Sequence, residues 1–373
     1  MAKYQNVSTP RFYVDYFQWT LATKTQGNQF LGRYSGEDGN GTDYLLSLPV
    51  SEKSALEKLF YLDPTYSYTY NYGDTSPRWL SINLELQNND HFNIDYCMIL
   101  NHNFQTQYTT PRLFHISYDQ TLSSKEVTNY VGDVNYSNNS KPPYDGWSLF
   151  SFEKDNTDSN EIQCLLLRFG HNTDNNNTRD VRMGAISIGK KYDMPVAPDL
   201  QLTMEKQYGG VQKLSTINGG EISNYNYSQP PSWSNLEPWG LSKAEDVENN
   251  IYKSSRIEPK EARRSGRRVW NLKFSYISDS KLMADIEMLN FSNLPDNHSY
   301  EYFLGKQTNS DDRFFSDFMH KTLGGNLRFV FQPDNTNFDP DGFAICVLDQ
   351  DSISVKQVAH NTYDISLKIM EVW

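Results

Sequence analysis

Hydrophobic positions along the chain come in short, mostly alternating runs. Trp79-Leu80-Ser81-Ile82-Asn83-Leu84-Glu85-Leu86 sets Leu80, Ile82, Leu84 and Leu86 on one side and Ser81, Asn83 and Glu85 on the other. A period of two is what a strand with one wet face requires. Phe92 to Leu100 reads as a second strand, and Asn88-Asn89-Asp90 between them as a tight turn, because Asn and Asp tolerate left-handed backbone. The same reading predicts strands over 11–19, 44–48, 111–118, 147–153, 161–169 and 181–188. About eight strands before residue 195 suit a jelly-roll sandwich. Strands resume at 199–206, 211–217, 267–277, 327–332, 343–348, 352–358 and 362–372.

Helical signals are few. Ser54-Ala55-Leu56-Glu57 fits a capping box for a short helix within Ser51–Leu62. In Asp312–Leu323, Phe314, Phe315, Phe318 and Met319 share a helical face, and Gly324-Gly325 supplies a stop. Ser280–Asn290 is a third candidate. Asp193-Met194-Pro195-Val196-Ala197-Pro198 reads as an extended linker, since its prolines disfavour helix and interrupt strand pairing. The expected fold class is therefore mainly β. It comprises an N-terminal jelly-roll-like (galactose-binding-like) β-sandwich over 1–195, and a C-terminal β-barrel or sandwich over 196–373 with one or two short helices.

Composition narrows the function classes. Hydrophobic content is only 37 %, yet aromatics reach 14 %, which excludes a globally disordered chain. A formal charge of −12 argues against a general nucleic-acid binder, whose affinity rests on Lys and Arg against phosphates. The 3 cysteines, Cys97, Cys164 and Cys346, are too scattered for a disulfide framework or a zinc site and read as small buried apolar residues. The start of the chain lacks a charged-then-apolar leader and no run of 18 apolar residues follows, so neither a usual signal peptide nor a membrane span is expected.

Catalytic signals are weak. Gly32-Arg33-Tyr34-Ser35-Gly36 is out of register for a nucleophile elbow, and the phosphate-loop and His-Glu-x-x-His patterns do not occur. His91, His102 and His115, with Asp95 among them, are the fairest candidates for a metal, but they lie on separate segments and read more simply as ordinary hydrogen-bonded histidines. Asn337-Phe338-Asp339-Pro340-Asp341-Gly342 resembles the start of a calcium loop, but Leu348 stands where the loop needs a glutamate, and a polar hairpin is the stronger reading. Acidic residues are too numerous for a chance carboxylate pair to indicate a glycosidase. No catalysis, no cofactor and no metal are expected.

The clearest electrostatic feature is Lys260–Lys273, KEARRSGRRVWNLK, with six basic groups against one acid. It could touch nucleic acid, guard a sheet edge, or face an acidic surface of a neighbouring copy. The third reading is preferred, because an Arg fork can bind a carboxylate twice. It makes Arg263, Arg264, Arg267, Arg268 and Trp270 candidate interface residues. Trp233 and Trp239, in the irregular aromatic stretch 224–241, and the final Trp373 join them, because Tyr, Trp and Arg concentrate energy at interfaces.

Several stretches carry a family resemblance: Ile99-Leu100-Asn101-His102-Asn103, Ile186-Ser187-Ile188-Gly189, Gly266-Arg267-Arg268-Val269-Trp270-Asn271-Leu272, Thr322-Leu323-Gly324-Gly325-Asn326-Leu327-Arg328-Phe329, and the terminal run Asn361–Trp373. Together they resemble virion tail proteins of tailed bacteriophages, especially the distal-tail and baseplate ring type of marine phages. The resemblance implies a homo-oligomeric, sixfold ring domain at 196–373 and an outer sandwich at 1–195 that carries tube, hub or fibre proteins. The order departs from that type, which usually places the ring domain first. The location implied is the virion tail, after synthesis in the host bacterial cytoplasm. The alternative is a carbohydrate- or host-receptor-binding module, for which Tyr66, Tyr68, Tyr70 and Tyr72 offer stacking faces at alternate positions.

Overall fold

The fold is a computed structural model that describes residues 6–23, 31–34, 45–47, 55–63, 66–72, 78–83, 94–104, 111–117, 124–126, 130–131, 146–151, 162–169, 179–207, 211–225, 267–283, 313–338 and 342–372. In chain order its strands are β1 Arg11–Asp15, β2 Leu31–Tyr34, β3 Leu45–Ser47, β4 Tyr68–Tyr72, β5 Arg78–Asn83, β6 Tyr96–Leu100, β7 Pro111–Ser117, β8 Ser124–Glu126, β9 Tyr130–Val131, β10 Trp147–Ser151 and β11 Ile162–Phe169. They continue as β12 Arg179–Met183, β13 Ala185–Asp193, β14 Thr203–Gln207, β15 Val211–Ser215, β16 Glu221–Tyr225, β17 Arg267–Ser278, β18 Phe329–Gln332, β19 Ala344–Leu348, β20 Val355–Ala359 and β21 Thr362–Glu371. Helical pieces are α1 Tyr16–Thr23, a 3₁₀ turn Lys58–Tyr61, α2 Asp279–Leu282 and a π-turn Phe314–Met319.

The architecture is mainly antiparallel β and sandwich-like, with few short helices. An 11-stranded sheet runs β14-β17-β21-β19-β18-β1-β13-β6-β10-β9, with β20 also paired to β21. A 6-stranded sheet runs β3-β2-β5-β11-β7-β8, and two ribbons, β4–β12 and β15–β16, pair only within themselves. The large sheet is open among the described strands, ending at β14 and β9, and does not form the barrel that the sequence pattern left open as one form of the C-terminal part.

Strand β1 occupies the middle of this sheet. It pairs with β13 on one side (Phe12 opposite Tyr192) and with β18 on the other (Phe12 opposite Phe331). The strands at the centre read as continuous apolar runs because both faces are covered. One face gathers Phe12, Val14, Ile186, Ile188, Phe329 and Phe331 with Phe314 and Phe318 of the π-turn. The other gathers Tyr13, Tyr96, Met98, Trp147, Val330 and Phe343. The single-residue alternation Phe12/Tyr13/Val14 between these clusters is the strand period at work.

A sheet shared in this way bears on the expected boundary at 195. Strands from 1–195 and from 196–373 hydrogen-bond to one another in one sheet and share one buried cluster. The proline-containing connection is itself tied down: the Met194 amide donates to the Pro10 carbonyl at 3.0 Å and the Asp199 amide to the Lys273 carbonyl at 2.7 Å.

Other departures have local causes. The strand expected over 11–19 stops at Asp15, whose Oδ1 accepts the amides of Phe17 (2.9 Å) and Gln18 (3.0 Å) and so starts α1. This is side-chain capping of orphan helix donors. Close packing at the transition leaves no room opposite it, since a Cβ at Gly189 would run into the Val14 carbonyl. The strands expected over 79–86 and 92–100 are not a hairpin, because β5 lies in the smaller sheet and β6 in the larger. The strand expected over 181–188 is two, β12 and β13, broken at Gly184, where any side chain would collide with Asn101. The expected helix at 312–323 does bury Phe314, Phe318 and Met319, but as a π-turn.

Candidate functional site

Of the residues expected at an interface, Arg263, Arg264, Trp233, Trp239 and Trp373 lie outside the described residues. Arg267, Arg268 and Trp270 open β17, between β14 and β21. Arg267 is half-buried opposite Gln207. Arg268 points inward and is only 8 % exposed. Its Nε and Nη2 donate to the two oxygens of Glu371 at 3.0 Å each, and a further bond reaches the Phe343 carbonyl at 2.8 Å. The guanidinium also lies 5.2 Å from the Trp270 ring centroid. Trp270 is buried and meets Phe331 edge-on at 5.1 Å. The expectation that Arg268 and Trp270 face a neighbouring copy is therefore corrected. Their carboxylate and aromatic partners come from the same chain. The sequence could not show this, because Glu371 is 103 residues away.

The histidines are placed apart. His91 lies outside the described residues, and His115 sits on β7 in the smaller sheet. His102 is buried beyond β6, with Nε2 2.7 Å from the Ser148 hydroxyl and its ring stacked 4.0 Å from Phe104. Desolvation pushes its pKa down to about 3, so the imidazole is neutral. Among the described residues no three His, Cys, Asp or Glu side chains come together as a metal site. Because the unfolded imidazole titrates near 6.5, the unfolded chain binds the extra proton between pH 6.5 and 3. Stability supplied by neutral His102 is complete above that window, falls by about 1.4 kcal/mol for each pH unit within it, and levels off below it. Urea midpoints at pH 7.5 and 5 should therefore diverge more for the natural chain than for His102→Gln.

Among the described residues three carboxyls are buried, and each has a structural tether. Glu371 holds Arg268. Asp317 accepts from Lys190 at 2.9 Å. Asp15 caps α1; burial raises its pKa to about 8, with the Gln18 and Phe17 amides opposing the rise. Tyr66 and Tyr68 are half-buried against the main core rather than displayed, and the Tyr66 hydroxyl donates to the Ala55 carbonyl at 2.7 Å. Tyr70 and Tyr72 lie on β4, paired with β12.

The exposed apolar surface lies elsewhere. In the β15–β16 ribbon, Leu214 sits directly opposite Ile222, so both side chains share one face. They are 61 % and 57 % exposed, and Ile217 at the tip is fully exposed. The tip is closed by the Thr216 amide donating to the Gly220 carbonyl at 2.7 Å, with Gly219 at φ +79°. A two-stranded ribbon is marginal in water unless its apolar face is covered. Sequence reading predicted β15 but not β16, whose Glu221-Ile222-Ser223-Asn224-Tyr225 carries only a weak alternation. The Asn218-Gly219-Gly220 run was the available turn signal.

No protein-family model matches the chain, and no curated protein matches it. No helix among the described residues is long and apolar enough to cross a membrane.

Proposed function

We propose that the chain is a structural component of a bacteriophage tail, of the distal-tail or baseplate ring type, that works by assembling with copies of itself. The observation that carries this reading is the β15–β16 ribbon with Leu214, Ile217 and Ile222 in water. Apolar side chains displayed on a ribbon that buries little by itself are a contact surface, and a second copy of the chain is the partner the ring reading requires. The resemblance of the strand motifs to tail proteins supports the same class, as does the tethering of every buried described carboxyl to a structural partner. Tube, hub and fibre proteins are the further partners the reading implies. The basic strip contributes through Arg267 and not through Arg268.

The test is the oligomeric state of the full chain by mass photometry and negative-stain imaging. A ring is expected. Leu214→Asp with Ile222→Asp should shift it to smaller species while leaving the unfolding midpoint nearly unchanged, since exposed substitutions stay within about 0.5 kcal/mol. A chain that remains a lone subunit at high concentration, or a ring indifferent to both substitutions, overturns the proposal.

A further inference from the structure

We propose that Asn218 is a site of spontaneous covalent modification: the backbone nitrogen of Gly219 closes onto its side chain, ammonia leaves, and water opens the resulting ring to aspartate or isoaspartate. The residue sits at the tip of the β15–β16 ribbon, where every residue from Leu214 to Ile222 is exposed. Among the described residues it is the one asparagine followed by glycine. That successor decides the chemistry, because a side chain on the following residue crowds the nitrogen that attacks. Gly219 has none, and no heavy atom lies within 4 Å of the place where its Cβ would stand. Its φ of +79° reserves the position for glycine, so the fold itself keeps the attacking nitrogen bare.

The step balances with water as the only co-reactant. Hydroxide takes the Gly219 amide proton, the bond from that nitrogen to Asn218 Cγ forms, and the Cγ–Nδ2 bond breaks as ammonia leaves with a proton from water. Hydrolysis of the five-membered imide at its side-chain carbonyl restores the normal backbone as aspartate. Hydrolysis at its backbone carbonyl routes the chain through Cγ as isoaspartate. One bond stands in the way: the Gly219 amide donates to the Thr216 carbonyl at 3.0 Å. At an exposed tip water replaces that acceptor, so the bond slows the reaction by about tenfold and does not forbid it. The loop yields without unzipping the ribbon, because its base is stapled separately. There the Thr216 amide and hydroxyl donate to the Gly220 carbonyl at 2.7 and 3.0 Å, and the Gly220 amide donates to the Thr216 hydroxyl at 2.9 Å. Either product adds a negative charge between Ile217 and Glu221, and isoaspartate also lengthens the loop backbone by one atom. On the assembly reading, on which this consequence alone rests, a subunit left unassembled spoils its own contact surface with time.

Peptide mapping by mass spectrometry tests this on the full chain, incubated in dilute solution at pH 7 and pH 8 and digested in mild acid. The control is Asn361 at the tip of the β20–β21 hairpin, which is also exposed but is followed by the β-branched Thr362. The Asn218 peptide should lose its amide before loss at Asn361 is detectable, and should accept label from an isoaspartyl methyltransferase. Its rate should rise about tenfold from pH 7 to pH 8, as the deprotonated share of the Gly219 amide does. Asn218→Gln keeps an amide but needs a six-membered ring to close, and should stay intact. An unmodified Asn218, equal loss at Asn218 and Asn361, a rate indifferent to pH, or an Asn218→Gln chain that releases ammonia from this peptide at the natural rate overturns the proposal. The result is separate from the oligomeric state, because a chain that stays a lone subunit ages at this position all the same.

Discussion

Truncating Arg268 to alanine is expected to lower the free energy of unfolding by about 3–5 kcal/mol, the cost of leaving a buried carboxylate without its partner. The Glu371 side chain is 8 % exposed and Arg268 9 %, so water cannot take over the lost interaction. Three bonds disappear together: two to the carboxylate and one to the Phe343 carbonyl. The Arg268 backbone amide still donates to Glu371 Oε2 at 3.0 Å, so a residue of the charge remains solvated by the sheet. A double replacement, Arg268→Met with Glu371→Leu, should recover most of the loss, because two apolar side chains of similar volume remove both charges at once. Denaturant unfolding of the two single variants and the double one measures the coupling directly. A near-zero effect of Arg268→Ala would show that the side chain is solvated in solution and available to a partner.

Phe12→Ala is the second large effect, also about 3–5 kcal/mol, and here the cause is a cavity. The ring lies 4.4 Å from Phe318, 5.7 Å from Phe329 and 5.2 Å from Phe331, centroid to centroid. These neighbours belong to the π-turn and β18, so the residue near the start of the chain packs against residues more than 300 positions later. The natural chain should unfold with strands from both sides of residue 195 melting together. In Phe12→Ala the midpoint should fall without the transition splitting. Two separate transitions would mean that the two portions hold independently.

Much of the fold was legible. Most strands fell where alternation or continuous apolar runs placed them, because a two-residue period is a local property of sequence. The β18–β19 hairpin was read from its polar connection, and β21 from Ile365, Leu367 and Ile369. Pairing was not legible. Nothing in Arg11–Asp15 indicates that it joins β13 and β18, since partners in a sheet are chosen by three-dimensional packing. The change from strand to helix at Asp15 was missed because Phe12, Val14, Tyr16, Phe17, Trp19 and Leu21 are spaced closely enough to satisfy either period, and the capping carboxylate was the sole local clue. The candidate interface fared less well. Charge in Lys260–Lys273 was visible, but which of its arginines turns inward depends on Glu371. The ribbon that displays Leu214 and Ile222 carries too few apolar residues to stand out in a hydrophobic profile.

The position of β1 sets a timetable for the molecule. Its partners on one side reach the ribosome exit roughly 320 residues after it does. At about 5–20 residues per second this is a wait of some tens of seconds. Throughout that interval the edge of Arg11–Asp15 meant for Phe329–Gln332 has no mate. A nascent chain in this condition is open to pairing with a neighbour on the same messenger, so slower elongation anywhere between the codons of β1 and those of β18 should raise the yield of aggregates.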